Sequence, residues 1–188
     1  MYVPDWPLLT ERLLLRPWEE GDLDFLHAMQ SDEEVVRWLY YDVRSLDAAR
    51  TSLARKMDSV AITGEGDGVS SAVVLRDTGE VVADLSLWVV SEGHQQGELG
   101  FETHPAHQRK GYATEASRAM LDFAFNTVGL HRVIGRTEAR NAASARVLEK
   151  LGMRPEAHFI ENEWVKEEWQ SELVYAMLAA EWAQRAER

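Results

Sequence analysis

The chain has 188 residues, of which 45% are hydrophobic, enough for one well-filled core and too few for two ordinary domains, so a single domain over 1–188 is expected. It contains no cysteine, which excludes disulfides, thiolate nucleophiles and cysteine-ligated zinc and fits a reducing cytoplasm. A formal charge of −12 argues against nucleic acid as a partner and for a cationic one, and with neither the features of a signal peptide in Met1 to Pro7 nor an apolar run long enough to span a membrane, a soluble, cytoplasmic protein is expected.

From the N-terminus, Arg12 to Trp18 reads as a short apolar strand. Glu19-Glu20-Gly21-Asp22 then introduces a helix capped by Asp22, with Leu23, Phe25, Leu26 and Met29 available to its buried side. Ser31-Asp32-Glu33-Glu34 starts a second, short helix carrying Val35, Val36 and Leu39. Ser45-Leu46-Asp47 starts a third, with Leu46, Ala49, Leu53 and Met57 spaced for one face. The glycine-rich stretch Thr63 to Gly68 is acidic and precedes a β-type run, so it reads as a flexible linker and not as a phosphate loop.

Val69 to Leu75 and Glu80 to Val90 form a predicted hairpin about Asp77-Thr78-Gly79. In its second strand Val81, Ala83, Leu85, Leu87 and Val89 share one face, opposite Val82, Asp84, Ser86, Trp88 and Val90. Glu98 to Thr103 is the next strand, with Leu99 and Phe101 opposite Glu98, Gly100 and Glu102. From Gly111, the residues Ala113, Ala116, Met120, Phe123, Ala124 and Val128 recur at helical spacing, and Gly129 suits the C-terminal cap. His131 to Thr137 reads as a strand, Asn141 as the cap of a helix ending at Leu151-Gly152, and two long strands flank Val165-Lys166-Glu167-Glu168 before a short helical tail over 179–188.

The stretch His107 to Ala116 reads as a phosphate-binding turn and helix start, because Gln108, Lys110 and the flexible Gly111 fall where free backbone N–H groups and the positive end of a helix dipole point outward. No G-x-x-x-x-G-K-[ST] occurs and no G-x-G-x-x-G lies between a strand and a helix, which removes two other phosphate cradles. The main basic clusters of this acidic chain, Arg109-Lys110 and Arg140 to Lys150, coincide with this turn and with the later helix.

Gln108-Arg109-Lys110-Gly111-Tyr112-Ala113 fits the Q/R-x-x-G-x-G/A pattern and resembles the coenzyme A pyrophosphate loop of the GNAT superfamily of N-acetyltransferases. Gly129 to Ile134 and Arg140 to Met153 resemble that family's later strand and N-x-x-S helix. The opening Thr10-Glu11-Arg12-Leu13-Leu14-Leu15-Arg16 and the closing Trp169 to Leu178 resemble its RimJ/RimL-like branch, so the resemblance spans nearly the whole chain. Arg109 stands where relatives often have glycine.

The resemblance implies an α/β fold: a mostly antiparallel, seven-stranded mixed sheet with helices on both faces and a splayed central strand pair. It implies acetyl-CoA as co-substrate, no metal, and acetyl transfer by direct attack of a primary amine, either a protein N-terminal α-amine or a small-molecule amine, in a monomer or homodimer. Phe101, Glu102 and Thr103 would run along the pantetheine arm, where a main-chain N–H stabilises the oxyanion. Gln108, Arg109, Lys110, Gly111, Tyr112, Ala113 and Thr114 would hold the pyrophosphate, and Asn141 and Ser144 would contact the pantetheine end. Other GNAT proteins use other acyl donors such as succinyl-CoA, and a non-catalytic acyl-CoA sensor on the same fold is the rival reading.

A carboxylate facing the cleft is the usual device for deprotonating the amine. Glu98 is the first candidate, because its face of the strand carries the unobstructed Gly100; Glu102, Asp84 and water are the alternatives. Ser144, three residues beyond Asn141, is the candidate proton donor to the leaving thiolate. His104 and His107 flank Pro105 without a recognisable third ligand, so they read as loop histidines. Exposing a neutral nucleophile near neutral pH costs about 1.4 kcal/mol for an α-amine and about 4.6 kcal/mol for a lysine side chain, so an α-amine or similarly weak base is the expected acceptor.

Overall fold

In a computed structural model that describes residues 1–186, eight strands form one sheet in the order β1-β2-β3-β4-β5-β6-β8-β7. They are β1 (Leu8–Leu9), β2 (Leu13–Arg16), β3 (Gly68–Leu75), β4 (Val81–Ser91), β5 (Gln96–Thr103), β6 (Arg132–Glu138), β7 (Arg154–Val165) and β8 (Glu168–Leu178). Seven strands were expected, and the eighth is the two-residue β1, which pairs with β2 through Leu8–Leu15 and Leu9–Leu14. Every neighbouring pair is antiparallel except β5 and β6.

Two-sided alternation in the strands produces two layers of helix. One face carries α1 (Leu23–Gln30), α2 (Glu33–Val36) and α3 (Leu46–Asp58), where Leu26 and Leu53 pack on Trp18, Ala72 and Val74. The other carries α4 (Tyr112–Asp122) and α5 (Ala142–Leu151), whose Met120, Leu121, Leu148 and Leu151 join Leu85, Leu87, Leu99 and Val133 in the main core. The final helix, α6 (Ala179–Ala186), follows β8 directly. The predicted tail extends to 188, and its last two positions lie outside the described residues.

Local signals set most element ends. Asn141 Oδ1 accepts from the Ser144 N–H at 3.1 Å, and Gly129 and Gly152 close their helices with φ of 76° and 74°. Ahead of Gly129 the helix widens into a π-helical turn over Phe123–Val128. Two expectations are corrected. The Asp22 carboxylate does not cap α1; it turns back to the Glu19 N–H at 2.9 Å and to Arg16 at 2.7 and 2.8 Å. The short helix α2 is capped by Asp32, whose carboxylate accepts from the Glu34 N–H at 2.8 Å. The stretch Thr63 to Gly68 is a pinned turn and not a flexible linker. There Asp67 accepts from the Thr63 N–H and hydroxyl, and Gly66 and Asp67 exchange hydrogen bonds with Val89 at 2.9 Å.

The parallel pair matters most for the site. β5 and β6 register at Gln96–Arg132, Gly97–Val133 and Glu98–Ile134 and then part. Beyond Glu98, β5 stays with β4 as far as Thr103, and β6 stays with β8 as far as Glu138. The gap is flanked by α5, which lies so close to β6 that a Cβ at Gly135 would meet Leu148 Cδ2 at 2.5 Å. Leu148 is fully enclosed and cannot swing aside. Gly135→Val is therefore expected to destabilise the fold by about 1–3 kcal/mol through overpacking, read as a lower urea midpoint; an unchanged midpoint refutes the tight seating of α5.

Candidate active site

The loop between β5 and α4 makes the first wall. It descends through a 3-10 turn, Pro105–His107, to Gln108, whose side-chain amide donates back to the Thr103 carbonyl at 3.2 Å. Arg109 and Gly111 both adopt left-handed backbone, with φ of 61° and 86°. At Arg109 this conformation is strained for an L side chain and is one that glycine adopts freely. No side chain caps the N-terminus of α4, so its first-turn N–H groups face outward with the dipole behind them.

A distant segment holds this helix start in place. Glu115, in the first turn of α4, accepts at Oε1 from the Thr10 hydroxyl at 2.6 Å and the Arg12 N–H at 2.8 Å, and at Oε2 from Arg12 Nε at 2.7 Å. The Arg12 guanidinium also donates to the Lys110 carbonyl at 3.0 Å and lies over the Tyr112 ring at 4.8 Å. Neither Arg12 nor Glu115 stood among the candidate site residues. The available signal was that Thr10–Arg12 falls within the opening stretch that resembles the family and Glu115 within His107 to Ala116, the stretch that reads as a phosphate-binding turn and helix start.

The second wall is the start of α5. Asn141 spends its side-chain oxygen on the helix cap, which leaves the amide nitrogen for a ligand, and Ser144 lies in the first turn. Between the walls runs a cleft of about 880 Å³, lined by Phe101, Glu102 and Thr103, by Gln108, Arg109 and Gly111 to Thr114, and by Asn141 and Ser144. Of the expected coenzyme-binding residues only Lys110 falls outside this lining. Arg146 and Lys150 bring two more cations from α5.

A smaller cavity of about 160 Å³ opens from the same gap beside Trp38, Leu39 and Tyr40, which follow α2, and contains Glu98, Gly100, Glu138, Glu163 and Glu172. Glu98 is engaged by Arg136 at 3.1 Å, and Arg136 reaches Glu172 at 3.4 Å. Burial raises the Glu172 carboxyl above its usual range although Arg136 opposes this. Burial, then the Glu163 and Glu172 carboxylates, keep the Tyr40 hydroxyl protonated well above its ordinary value, and that hydroxyl donates to Glu172 at 3.4 Å. The roof is tied down where Lys166, at the β7–β8 turn, donates to the Val36 carbonyl of α2 at 2.6 Å.

Asp84 lies behind this cavity, buried and paired with Lys56. His104 Nδ1 accepts from the Ala106 N–H at 3.3 Å and His107 Nε2 meets Glu80 at 3.0 Å, so both serve the loop. No group of three or more metal-ligating side chains occurs among the described residues. Trp38 lines both cavities, whereas Trp164 and Trp169 pack edge to face near the exposed β7–β8 turn.

A sheet opened at its one parallel pair, with a helix N-terminus beside each parted strand, is the architecture of an N-acetyltransferase. A family model described as an acetyltransferase (GNAT) domain matches residues 12–154, more than half of the chain, and the protein belongs to that family. The uncharacterized N-acetyltransferase YnaD of Bacillus subtilis is 31% identical over 176 residues, covering 93% of this chain and 98% of that one. The crystal structure of a GNAT-family acetyltransferase from Bacillus anthracis superimposes with a TM-score of 0.83 at 29% identity, over 96% of this chain and 99% of that one. A spermidine N-acetyltransferase from Vibrio cholerae in complex with CoA and spermine shares the fold, with a TM-score of 0.78 at 20% identity over 93% and 99% of the two chains.

Two substitutions test the corner. Gly111→Val places a branched side chain in left-handed backbone and against Arg12; Glu115→Ala removes the anchor of the helix start. Each is expected to weaken coenzyme A binding about tenfold or more by calorimetry, a loss of about 1.4 kcal/mol. Unchanged affinity in a folded Gly111→Val protein refutes the placement.

Proposed function

We propose that the protein transfers an acetyl group from acetyl-CoA directly to a primary amine whose molecule carries at least one further positive charge. The observation that carries this reading is the meeting of a coenzyme-sized cleft with a carboxylate-walled cavity at Phe101, Asn141 and Ser144. Acetyl-CoA, when bound, supplies an activated thioester. The α4 start with Arg109, Arg146 and Lys150 would hold its phosphates, and Asn141 and the free edge of β5 would hold the pantetheine arm. The ammonium gives up one proton before attack. Its nitrogen lone pair forms the C–N bond while the C–S bond breaks, the second proton leaves the nitrogen to water, and the departing sulfur takes a proton from the Ser144 hydroxyl, which regains one from water.

Glu163 and Glu172, set apart from the meeting point, suit a second cation on the acceptor. The spermine-bound relative supports a polyamine. Intrinsic basicity supports the α-amine of a basic peptide, and both belong to the proposed class. Comparing 1,5-diaminopentane with pentylamine isolates the second charge: kcat/KM is expected to be about tenfold or more higher for the diamine, with the ratio shrinking as salt screens it. Equal rates on the two amines sink the cationic reading. Ser144→Ala is expected to lower kcat about tenfold or more with little change in the KM for acetyl-CoA; an unchanged kcat removes Ser144 as proton donor.

A further inference from the structure

Six residues line both halves of the cleft: Trp38, Leu39, Phe101, Glu102, Asn141 and Ser144. Glu102 is the one carboxylate among them. Glu98, the first candidate from sequence, lines only the acceptor half, where Arg136 already holds it.

What stands behind Glu102 gives it chemical meaning. Asp84 is its direct partner across the β4–β5 ladder, and directly opposed residues have Cβ atoms about 4.5–5.5 Å apart, so two carboxylates are held side by side on one face. A single ammonium answers them: Lys56, from α3, pairs with Asp84 and lies over the Trp18 ring at 5.5 Å. The remaining Asp84 oxygen accepts from Ser70 Oγ at 3.4 Å, and Ser70 Oγ in turn accepts from Trp18 Nε1 at 3.2 Å. Both members of the pair are largely enclosed, with side-chain exposures of 19% for Lys56 and 9% for Asp84. Neither lines either half of the cleft.

We infer that Glu102 takes the acceptor's proton and that the Lys56–Asp84 pair behind it is a positioning device that governs how readily it does so. This inference rests on the acetyl-transfer reading above. The amine nitrogen loses one N–H bond, the Glu102 carboxylate gains an O–H, and the proton then passes to solvent while the nitrogen keeps the electron pair for attack.

The groups that face Glu102 act in opposite senses. Burial, then the Asp84 charge, push it up to about 7. Lys56, the Tyr41 hydroxyl, which donates to it at 3.4 Å, and Arg44 all pull it down. Along the cleft lie Glu98, Arg136 and Glu138. A proton acceptor poised near neutrality is half-ionised where a cell works and still basic enough to act.

The pair makes a signed prediction that a merely structural role does not. The acid limb of kcat/KM reports the free enzyme's base, and the Glu102 carboxyl can be followed directly by carbon-13 NMR, assigned by its loss in Glu102→Gln. Asp84→Asn removes the like charge and is expected to lower the midpoint by about one pH unit, whereas Lys56→Met removes the opposite charge and is expected to raise it by about as much. Lys56→Arg is expected to restore the wild-type midpoint. If Lys56→Met does not fold, Asp84→Asn alone decides by the sign of its shift.

Midpoints that stay in place or move in the same direction overturn the inference. So does a Glu102 resonance that shifts while the acid limb does not, or an acid limb that vanishes in Glu98→Gln and persists in Glu102→Gln. Absence of coenzyme A release with every amine overturns the acetyl-transfer reading instead, and the NMR titration still decides whether the pair sets Glu102.

Discussion

The parting of β5 from β6 after Glu98 is the constraint on which the rest of the site depends. Up to that point the two parallel strands satisfy one another; beyond it each keeps only its outer neighbour, and the inner edge of β5 presents backbone groups that the sheet does not use. Unpaired backbone polar groups away from water cost free energy, so an open edge in the middle of a sheet persists only where something else bonds to it. Both parted strands then lead into helices, β5 into α4 and β6 into α5, and both helices begin beside the opening. N–H groups thus face the opening from three directions, in the place where open α/β sheets put their ligands, beyond the carboxyl ends of parallel strands.

An opening of this kind has to be held at fixed width. The α5 side is fixed by Leu148 lying against Gly135, and the α4 side by Thr10 and Arg12 gripping Glu115. This grip gathers a hydroxyl, a backbone N–H and a guanidinium on one carboxylate, which holds the Glu115 carboxyl below its ordinary range although burial opposes it. It joins β2, at one side of the sheet, to the first turn of α4, the helix proposed to receive the pyrophosphate. The opening stretch and the glycine turn are therefore one mechanical unit, although they are written about a hundred residues apart.

What was legible in the sequence was what short-range chemistry decides. Gly111, Gly129, Gly152 and Asn141 mark helix ends because each satisfies or frees backbone groups within a few residues. The alternation of Glu98, Gly100 and Glu102 against Leu99 and Phe101 fixes the two faces of β5. The same alternation is met by β4 alone, so nothing in β5 announces that its other edge is open. Asp22 and Thr63–Asp67 carry capping and linker residue types, yet the Asp22 carboxylate turned to Arg16 and the Asp67 carboxylate to the Thr63 N–H and hydroxyl. The Lys56–Asp84 pair was illegible because α3 reads as a plain amphipathic helix until it is laid over β4. Glu102 was placed on the right face without any sign of what stood behind it.

The hydrogen bond from Lys166 to the Val36 carbonyl closes the acceptor cavity with parts that belong to no hydrophobic cluster. Its roof is made from the shortest helix and the loop after it; its outer wall is the tip of the hairpin at one side of the sheet. Tyr40, Glu163 and Gln170 line the smaller cavity and not the coenzyme-sized cleft, so on the acetyl-transfer reading exchange at these positions is expected to alter which amine enters while the thioester end remains as it is. A lineage of such chains is free to drift in acceptor while keeping its donor, and similarity along the coenzyme half is a poor guide to what the other half admits.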